Sequence, residues 1–244
     1  MVETLLFELV IPCFNEAHSL EALVKKSADG ALQYGLTPQT FQLILVDNGS
    51  LDQTSNVLSN LKQTDLGQWF RVLMLKNNQG YGGGIYEGLK NTQAPWVGFT
   101  HADLQCDPQD AIRAFLNCKE SQRLTLVKGK RKNRAVVDWI VSRIFEFSVG
   151  LLWGFWCFDI NAQPKVFSRE LLEKIKQPPR GISFDAFVLW TAKRDGYFIS
   201  ALEVSLLPRS FGQSHWNQGF QKRLLTFLNV LKELLKTRIT VQSP

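Results

Sequence analysis

The sequence predicts a three-layer α/β sandwich with a mostly parallel central sheet, and three observations carry that prediction. Short apolar runs recur through the first half, at residues 5–11, Phe41 to Val46, Val72 to Leu75 and Trp96 to Phe99. Segments of helical periodicity separate them, so the strands are joined by crossovers rather than hairpins. Each run also ends in a polar cluster. Right-handed crossovers put all strand-to-helix turns along one sheet edge, so the clusters near Glu16, Asp47 and Asp103 converge on one crevice.

In order along the chain, the first run is closed by Pro12. Asn15 and Glu16 then start a polar turn before a helix with Leu20, Leu23 and Val24 on one face. The second run ends in Asp47-Asn48-Gly49-Ser50, and a helix over about 53–62 is expected to bury Val57, Leu58 and Leu61. The third leads through a glycine-rich loop, Asn77 to Gly84, into a helix ending near Asn91. The fourth runs into His101, Asp103 and Gln105, which strand alternation would send to one side. Asp107 and Pro108 have the chemistry of an N-cap and first turn.

The second half is less regular. Leu124 to Val127 reads as a strand, followed by a basic run from Lys128 to Arg134 that fits either a solvated turn or a phosphate site. Residues 136–156 are rich in Trp, Phe, Ile and Leu, with Asp138, Arg143 and Glu146 as their charges. That composition fits a core helix or one lying at a membrane interface. A helix from Phe184 to Arg194, a strand from Tyr197 to Leu206, a polar loop from Pro208 to Trp216 and an amphipathic helix from Phe220 to Lys236 complete the chain. With no repeat or linker, one domain is expected over 1–244, made of parts 1–110, 111–216 and 217–244.

Composition narrows the function classes. With 45% apolar and 20% charged residues, the chain reads as an ordered globular protein. A net charge of +6 suits phosphorylated substrates, anionic lipid surfaces or nucleic acid. Nucleic acid is set aside, because no patterned basic face with interleaved aromatics is present. The four cysteines lack metal or disulfide spacing, which fits a reducing cytoplasmic setting. The first residues do not read as a signal peptide, and no run is long enough to span a bilayer.

Ala102-Asp103-Leu104-Gln105, with Val10 to Glu16, Leu45 to Ser50 and Asn78 to Gly88, resembles glycosyltransferase family 2. That family has the Rossmann-like GT-A fold, and the similarity is to its dolichyl-phosphate mannose synthase-like, polyprenyl-phosphate branch. The resemblance implies inverting transfer from a UDP- or GDP-sugar to a polyprenyl phosphate, assisted by Mn2+ or Mg2+. It assigns donor binding to Pro12, Phe14, Glu16, Asp47, Gly80 and Asp103, and metal binding to His101, Asp103 and Gln105. Arg131, Arg143, Ser148 and Ser214 would grip the acceptor phosphate, and Asp103, Asp185 and Arg209 would be catalytic. Two positions depart from the family: His101 replaces an Asp, and His215 replaces a Lys. Two other outcomes stay open, transfer to a saccharide hydroxyl with Asp159 or Asp185 as base and a catalytically weakened nucleotide-sugar-binding protein. Peripheral contact with the cytosolic membrane face and a homo-oligomer are also expected.

Overall fold

The structure is a computed structural model that describes residues 4–132, 136–207 and 228–237. Its strands are β1 (Phe7–Cys13), β2 (Phe41–Asp47), β3 (Phe70–Met74), β4 (Trp96–Phe99), β5 (Thr125–Lys132), β6 (Lys165–Ser168) and β7 (Phe198–Ser205). Its helices are α1 (Leu20–Gln33), α2 (Thr54–Leu61), α3 (Tyr81–Lys90), α4 (Gln109–Glu120), α5 (Val136–Trp153), α6 (Arg169–Lys174) and α7 (Phe184–Arg194), and residues 228–237 are also helical. The strands form one sheet in the order β3-β2-β1-β4-β6-β5-β7. Only β6 runs against its neighbours.

Residues of β1 and β2 alternate between two cores even though both strands are almost wholly apolar. Val10, Ile44 and Val46 face the layer made by α3, α5, α7 and residues 228–237. Phe7, Leu9, Ile11, Phe41, Leu43 and Leu45 face α1, α2 and α4. The sheet is therefore covered on both faces, as its near-continuous apolar strands require. One charged residue in β1 is buried at the edge away from the polar clusters. Glu8 pairs with Arg71 at 2.5 Å and also accepts from the amides of Gln93 and Ala94.

Several boundaries differ from the sequence reading, each for a local reason. Pro12 lies inside β1. Val10 O accepts from Thr100 N, so Pro12, two residues on, faces the same side, beyond the end of β4. Its missing N–H leaves no ladder bond unmade. The basic run is not a turn: Lys128 to Lys132 continue β5, paired in parallel with β7. Short β6 and the 3-10 turn at Asp65–Trp69 had no periodic signal to reveal them.

The glycine run is the largest correction, since Gly82, Gly83 and Gly84 belong to α3 rather than to a loop. Glycine is disfavoured in a helix interior, but here close packing demands it. A Cβ on Gly82 would lie 2.4 Å from Phe184 Cβ, and one on Gly84 would lie 2.8 Å from Asn48 Nδ2. Further along, a Cβ on Gly88 would meet Val10 Cγ1 at 2.4 Å and Val46 Cγ2 at 2.8 Å. The glycines let α3 lie directly on β1 and β2. Gly88→Ala should destabilise the protein by about 1–3 kcal/mol through overpacking. Denaturant unfolding checks this, and a change below about 0.5 kcal/mol would show that α3 can shift freely.

Candidate active site at the carboxyl edge of the sheet

The strand order reverses between β1 and β4, so the crevice opens between the turn after Cys13 and the segment after Phe99. On the β1 side, two turns are tied together. Asn15, at φ 58°, donates its amide to Ser50 Oγ at 3.1 Å, and its Oδ1 accepts from Leu51 N at 2.8 Å. Glu16 N donates to Thr54 Oγ1 at 2.9 Å, while the Glu16 carboxylate accepts from Ser19 Oγ at 3.1 Å. Pro12, Phe14 and Glu16 are half-buried along this wall.

Asp47 is almost fully buried and serves its own turn. Oδ1 accepts from Ser50 N at 2.9 Å and Oδ2 accepts from Ser55 Oγ. Its neighbour Asn48, which the sequence reading passed over, bridges to the glycine turn. Its Nδ2 donates to Gly80 O at 3.0 Å and its Oδ1 accepts from Gln79 N at 2.9 Å. Gly80 itself has φ 79° and lies against Arg180 O, where a Cβ would come within 2.6 Å. A side chain is excluded there on both counts.

The tip after β4 is not an extended strand. It turns back at Leu104, with φ 58°, so the expected alternation of His101, Asp103 and Gln105 does not hold. Asp103 is buried, and its Oδ1 accepts from Gln105 N at 3.1 Å. His101 Nε2 lies 3.1 Å from the Tyr81 hydroxyl, which in turn accepts from Gln163 Nε2 at 2.9 Å. The same Gln163 nitrogen lies 2.9 Å from Asp185 Oδ1, which is also ion-paired with Lys165. Burial pushes the His101 imidazole below its ordinary value, against the pull of Asp103 and Asp185. The Tyr81 phenol is pushed well up by burial and then by the Asp185 charge.

No group of three or more His, Cys, Asp or Glu among the described residues forms a ready metal cage. Asp103 still fits a Mg2+- or Mn2+-type ion that takes most ligands from a diphosphate and water, because such ions commonly use one or two carboxylates. His101 is a weaker candidate, with one ring nitrogen already engaged by Tyr81.

Where the sequence places the acceptor phosphate, Arg131 donates to Asp159 three times, from its backbone N at 2.6 Å and from Nε and Nη2 at 2.9 and 2.5 Å. Asp159 N donates to Glu146 Oε1 at 2.6 Å, and Glu146 pairs with Arg143 at 2.8 Å. Burial pushes the Glu146 carboxyl up, opposed by Arg143. Lys128, pushed down to about 8 by burial, donates to the carbonyls of Gly129 and Asp159. Arg143 lies under the Trp139 and Phe158 rings, and its buried Nε has no partner. Ser148 is spent on the Ile144 carbonyl at 2.9 Å. Arg209, Ser214 and His215 lie outside the described residues.

This sheet order, with a crevice at its reversal and a buried carboxylate at the β4 tip, defines a GT-A domain. Two solved structures of glucosyl-3-phosphoglycerate synthase from Mycobacterium tuberculosis share the fold. One, with phosphoglyceric acid, has a TM-score of 0.69 at 17% identity, covering 97% of this chain and 79% of that one. The other, with Mn2+, UDP and glucosyl-3-phosphoglycerate, has a TM-score of 0.66 at 16% identity, covering 96% and 78%.

The model of glycosyl transferase family 2 matches residues 8–176, and the chain belongs to that family. It is 29% identical to the dodecaprenyl-phosphate galacturonate synthase of Rhizobium johnstonii over 72% of its own length and 51% of the relative's. It is 26% identical to an undecaprenyl-phosphate 4-deoxy-4-formamido-L-arabinose transferase of Serratia proteamaculans, over 93% of this chain and 66% of that one. The chain thus spans about half the length of the first of these relatives and about two-thirds of the second.

Lys165 and Asp185 are both essentially inaccessible to solvent. Lys165→Met leaves an uncompensated buried carboxylate and should cost about 3–5 kcal/mol, with much of the loss recovered when Asp185→Leu is added. A double-mutant cycle by thermal or urea unfolding checks it, and additive losses would show that the pair does not act as a unit.

Proposed function

We propose that this domain transfers a sugar, with inversion, from a UDP- or GDP-sugar to a polyprenyl phosphate at the cytosolic face of a membrane. The observation that carries the choice of acceptor is the state of the two carboxylates that could serve a hydroxyl acceptor as base. Asp159 is clamped by Arg131 and Asp185 by Lys165, and both are buried. A carboxylate that is buried and already engaged by a cation is not open to an incoming hydroxyl. A phosphate acceptor brings its own anionic oxygen and requires no base. The names of the relatives, which specify dodecaprenyl and undecaprenyl phosphate, support the same reading.

The residues divide the work across the crevice. The turns at Pro12 to Glu16 and Asp47 to Gly49, tied to each other and to Gln79 and Gly80, form a rigid wall for the nucleoside. Asp103 would hold the metal, which when bound neutralises charge on the departing diphosphate. The His101–Tyr81–Gln163–Asp185 chain fixes the floor beneath the sugar. Arg143, whose side chain is 27% exposed, offers its guanidinium to the acceptor phosphate, beside rings suited to an isoprenoid tail. Arg131 has a structural part as well, because its side chain is the cation that pairs with the buried Asp159.

Asp103→Asn should lower transfer by about two to three orders of magnitude with the fold unchanged. Nucleotide release from UDP- and GDP-sugars, with Mn2+ or Mg2+ and with or without a short polyprenyl phosphate, is the assay. Full activity in this variant would sink the assignment of Asp103. Turnover supported by saccharides and not by the lipid phosphate would replace the acceptor. Arg143→Gln should lower kcat/KM for the acceptor by about ten- to a hundredfold while leaving donor affinity unchanged. Loss of donor affinity instead would move Arg143 out of the acceptor site.

A further inference from the structure

Residues 228–237 bring one carboxylate, that of Glu233, to the rim of the crevice. The segment is seated by Val230 and Leu234, both buried in the core, and by Trp153 Nε1, which donates to Leu234 O at 3.0 Å. That seating turns Glu233 toward the start of α7, where its Oε1 accepts from Gly181 N at 2.6 Å. Its Oε2 accepts from Ser183 N at 3.2 Å and from the Ser183 hydroxyl. Ser183 is the N-cap residue of α7, yet its side chain caps nothing in its own helix. The hydroxyl is spent on Glu233, and the Glu233 carboxylate takes the place of the cap at the positive end of the helix dipole.

The seat is shaped for that carboxylate. A Cβ on Gly181 would lie 2.6 and 2.7 Å from the two Glu233 oxygens, so the position is kept clear for them. The clamped segment is also the one that braces the glycine turn. Arg180 O accepts from Gly83 N at 3.0 Å, and Arg180 Nη1 donates to Gln79 Oε1. Gly82 lacks a side chain where a Cβ would come within 2.8 Å of both Pro179 O and Gly181 O. Gln79 in turn donates its amide to Asn48 Oδ1 at 2.9 Å, next to Asp47. A continuous path therefore leads from Glu233 through residues 179–183 to the turns at Gln79 and Asp47. Just beyond the clamp, Asp185 joins Gln163 and Lys165.

We propose that Glu233 is a positioning residue of the donor site: its carboxylate holds residues 179–183 against the turn from Gln79 to Gly83 and so sets the affinity for the nucleotide of the donor. The inference rests on the donor reading of that wall. Affinity falls when a binding surface has to be ordered as the ligand arrives, and a turn already braced avoids that loss. Coupling of this kind is reciprocal, so a nucleotide that binds the braced turn also tightens the seating of residues 228–237.

Glu233→Gln and Gly181→Ala test this from opposite sides. The first keeps the size of the side chain and puts an NH2 group where an oxygen faced N–H and O–H donors. The second leaves Glu233 in the chain and fills its place. The Gly181 backbone is outside the left-handed region, so alanine suits it, and what yields is the far end of a flexible side chain. Each protein is titrated with UDP and with GDP, in the presence of Mg2+, by calorimetry. Both variants should stay folded and bind the nucleotide about tenfold more weakly. In transfer assays the donor KM should rise by the same factor, with kcat and the acceptor KM unchanged. The double variant should lose no more than either single one, since both remove the same contact. Amide exchange read by mass spectrometry should speed up at residues 79–84 in both variants, and nucleotide should slow exchange at residues 228–237 in the wild type alone. Wild-type nucleotide affinity in both variants, whatever their melting temperatures, would overturn the proposal, as would unchanged exchange at residues 79–84. If the wild type binds neither nucleotide while exchange at residues 79–84 still speeds up in the variants, the donor reading fails and the brace alone stands.

Discussion

The ion pair between Lys165 and Asp185 is the interaction on which the rest of the site depends. Removing two charges from water carries a penalty of several kcal/mol per ion, which is offset only where geometry and further hydrogen bonds are good. Here Lys165 opens β6 and Asp185 sits in the first turn of α7, so the pair forms only when both elements are in place. β6 is the one reversed strand, and its reversal puts Lys165 beside Phe99 at the end of β4. Gln163, two residues before Lys165, then carries the connection through Tyr81 to His101. One buried pair thereby joins β4, β6, α3 and α7 at the crevice.

The two walls of that crevice are held by different physics. On the donor side the work is done by backbone and small residues. Asn48 spans two turns with its amide, and the glycines of α3 let the helix lie against β1, β2 and the segment before α7. The N-terminus of α7 receives the carboxylate of Glu233, which accepts from the amides of Gly181 and Ser183. Negative charge at that end suits the helix dipole, and it anchors residues 228–237 to the segment packed on Gly82. On the other wall the work is done by charge: Arg131 holds Asp159, Arg143 holds Glu146, and the Asp159 amide joins the two pairs.

This contrast explains which features were legible in the sequence. Strands covered on both faces give long apolar runs, so β1, β2 and β4 stood out, and topology alone brought Glu16, Asp47 and Asp103 to one edge. Short β6 has four residues and no periodicity, and it acquires its identity only from pairing with β4. The glycines of α3 looked like a loop because propensity is a local measure, whereas the reasons for them are residues distant in sequence, Phe184 for Gly82, Asn48 for Gly84 and Val10 with Val46 for Gly88. Asp103 was found through its place at a strand end. The hydrogen bond between His101 and Tyr81 could not be read, since nothing in either segment announces the other. Asp47 and Asp185 were expected as donor-binding and catalytic residues, but nothing in the sequence signals their burial or their partners, Ser55 and Lys165.

The charge chain also bears on how an anionic acceptor could be bound. A phosphate entering beside Arg143 meets a cation already balanced by Glu146, so binding is an exchange of partners rather than capture by a bare charge. Such an exchange is favourable only if Glu146 can give up its claim. Burial already raises its carboxyl toward the neutral form, with Asp159 adding to the same tendency. A proton taken up by Glu146 as the phosphate arrives would leave Arg143 with a net charge to offer and avoid an unpaired buried carboxylate. The same logic does not extend to Arg131, which meets Asp159 through two side-chain nitrogens and its own backbone amide. On that reading Arg143 is the arginine that would change partners and Arg131 the one that holds the frame.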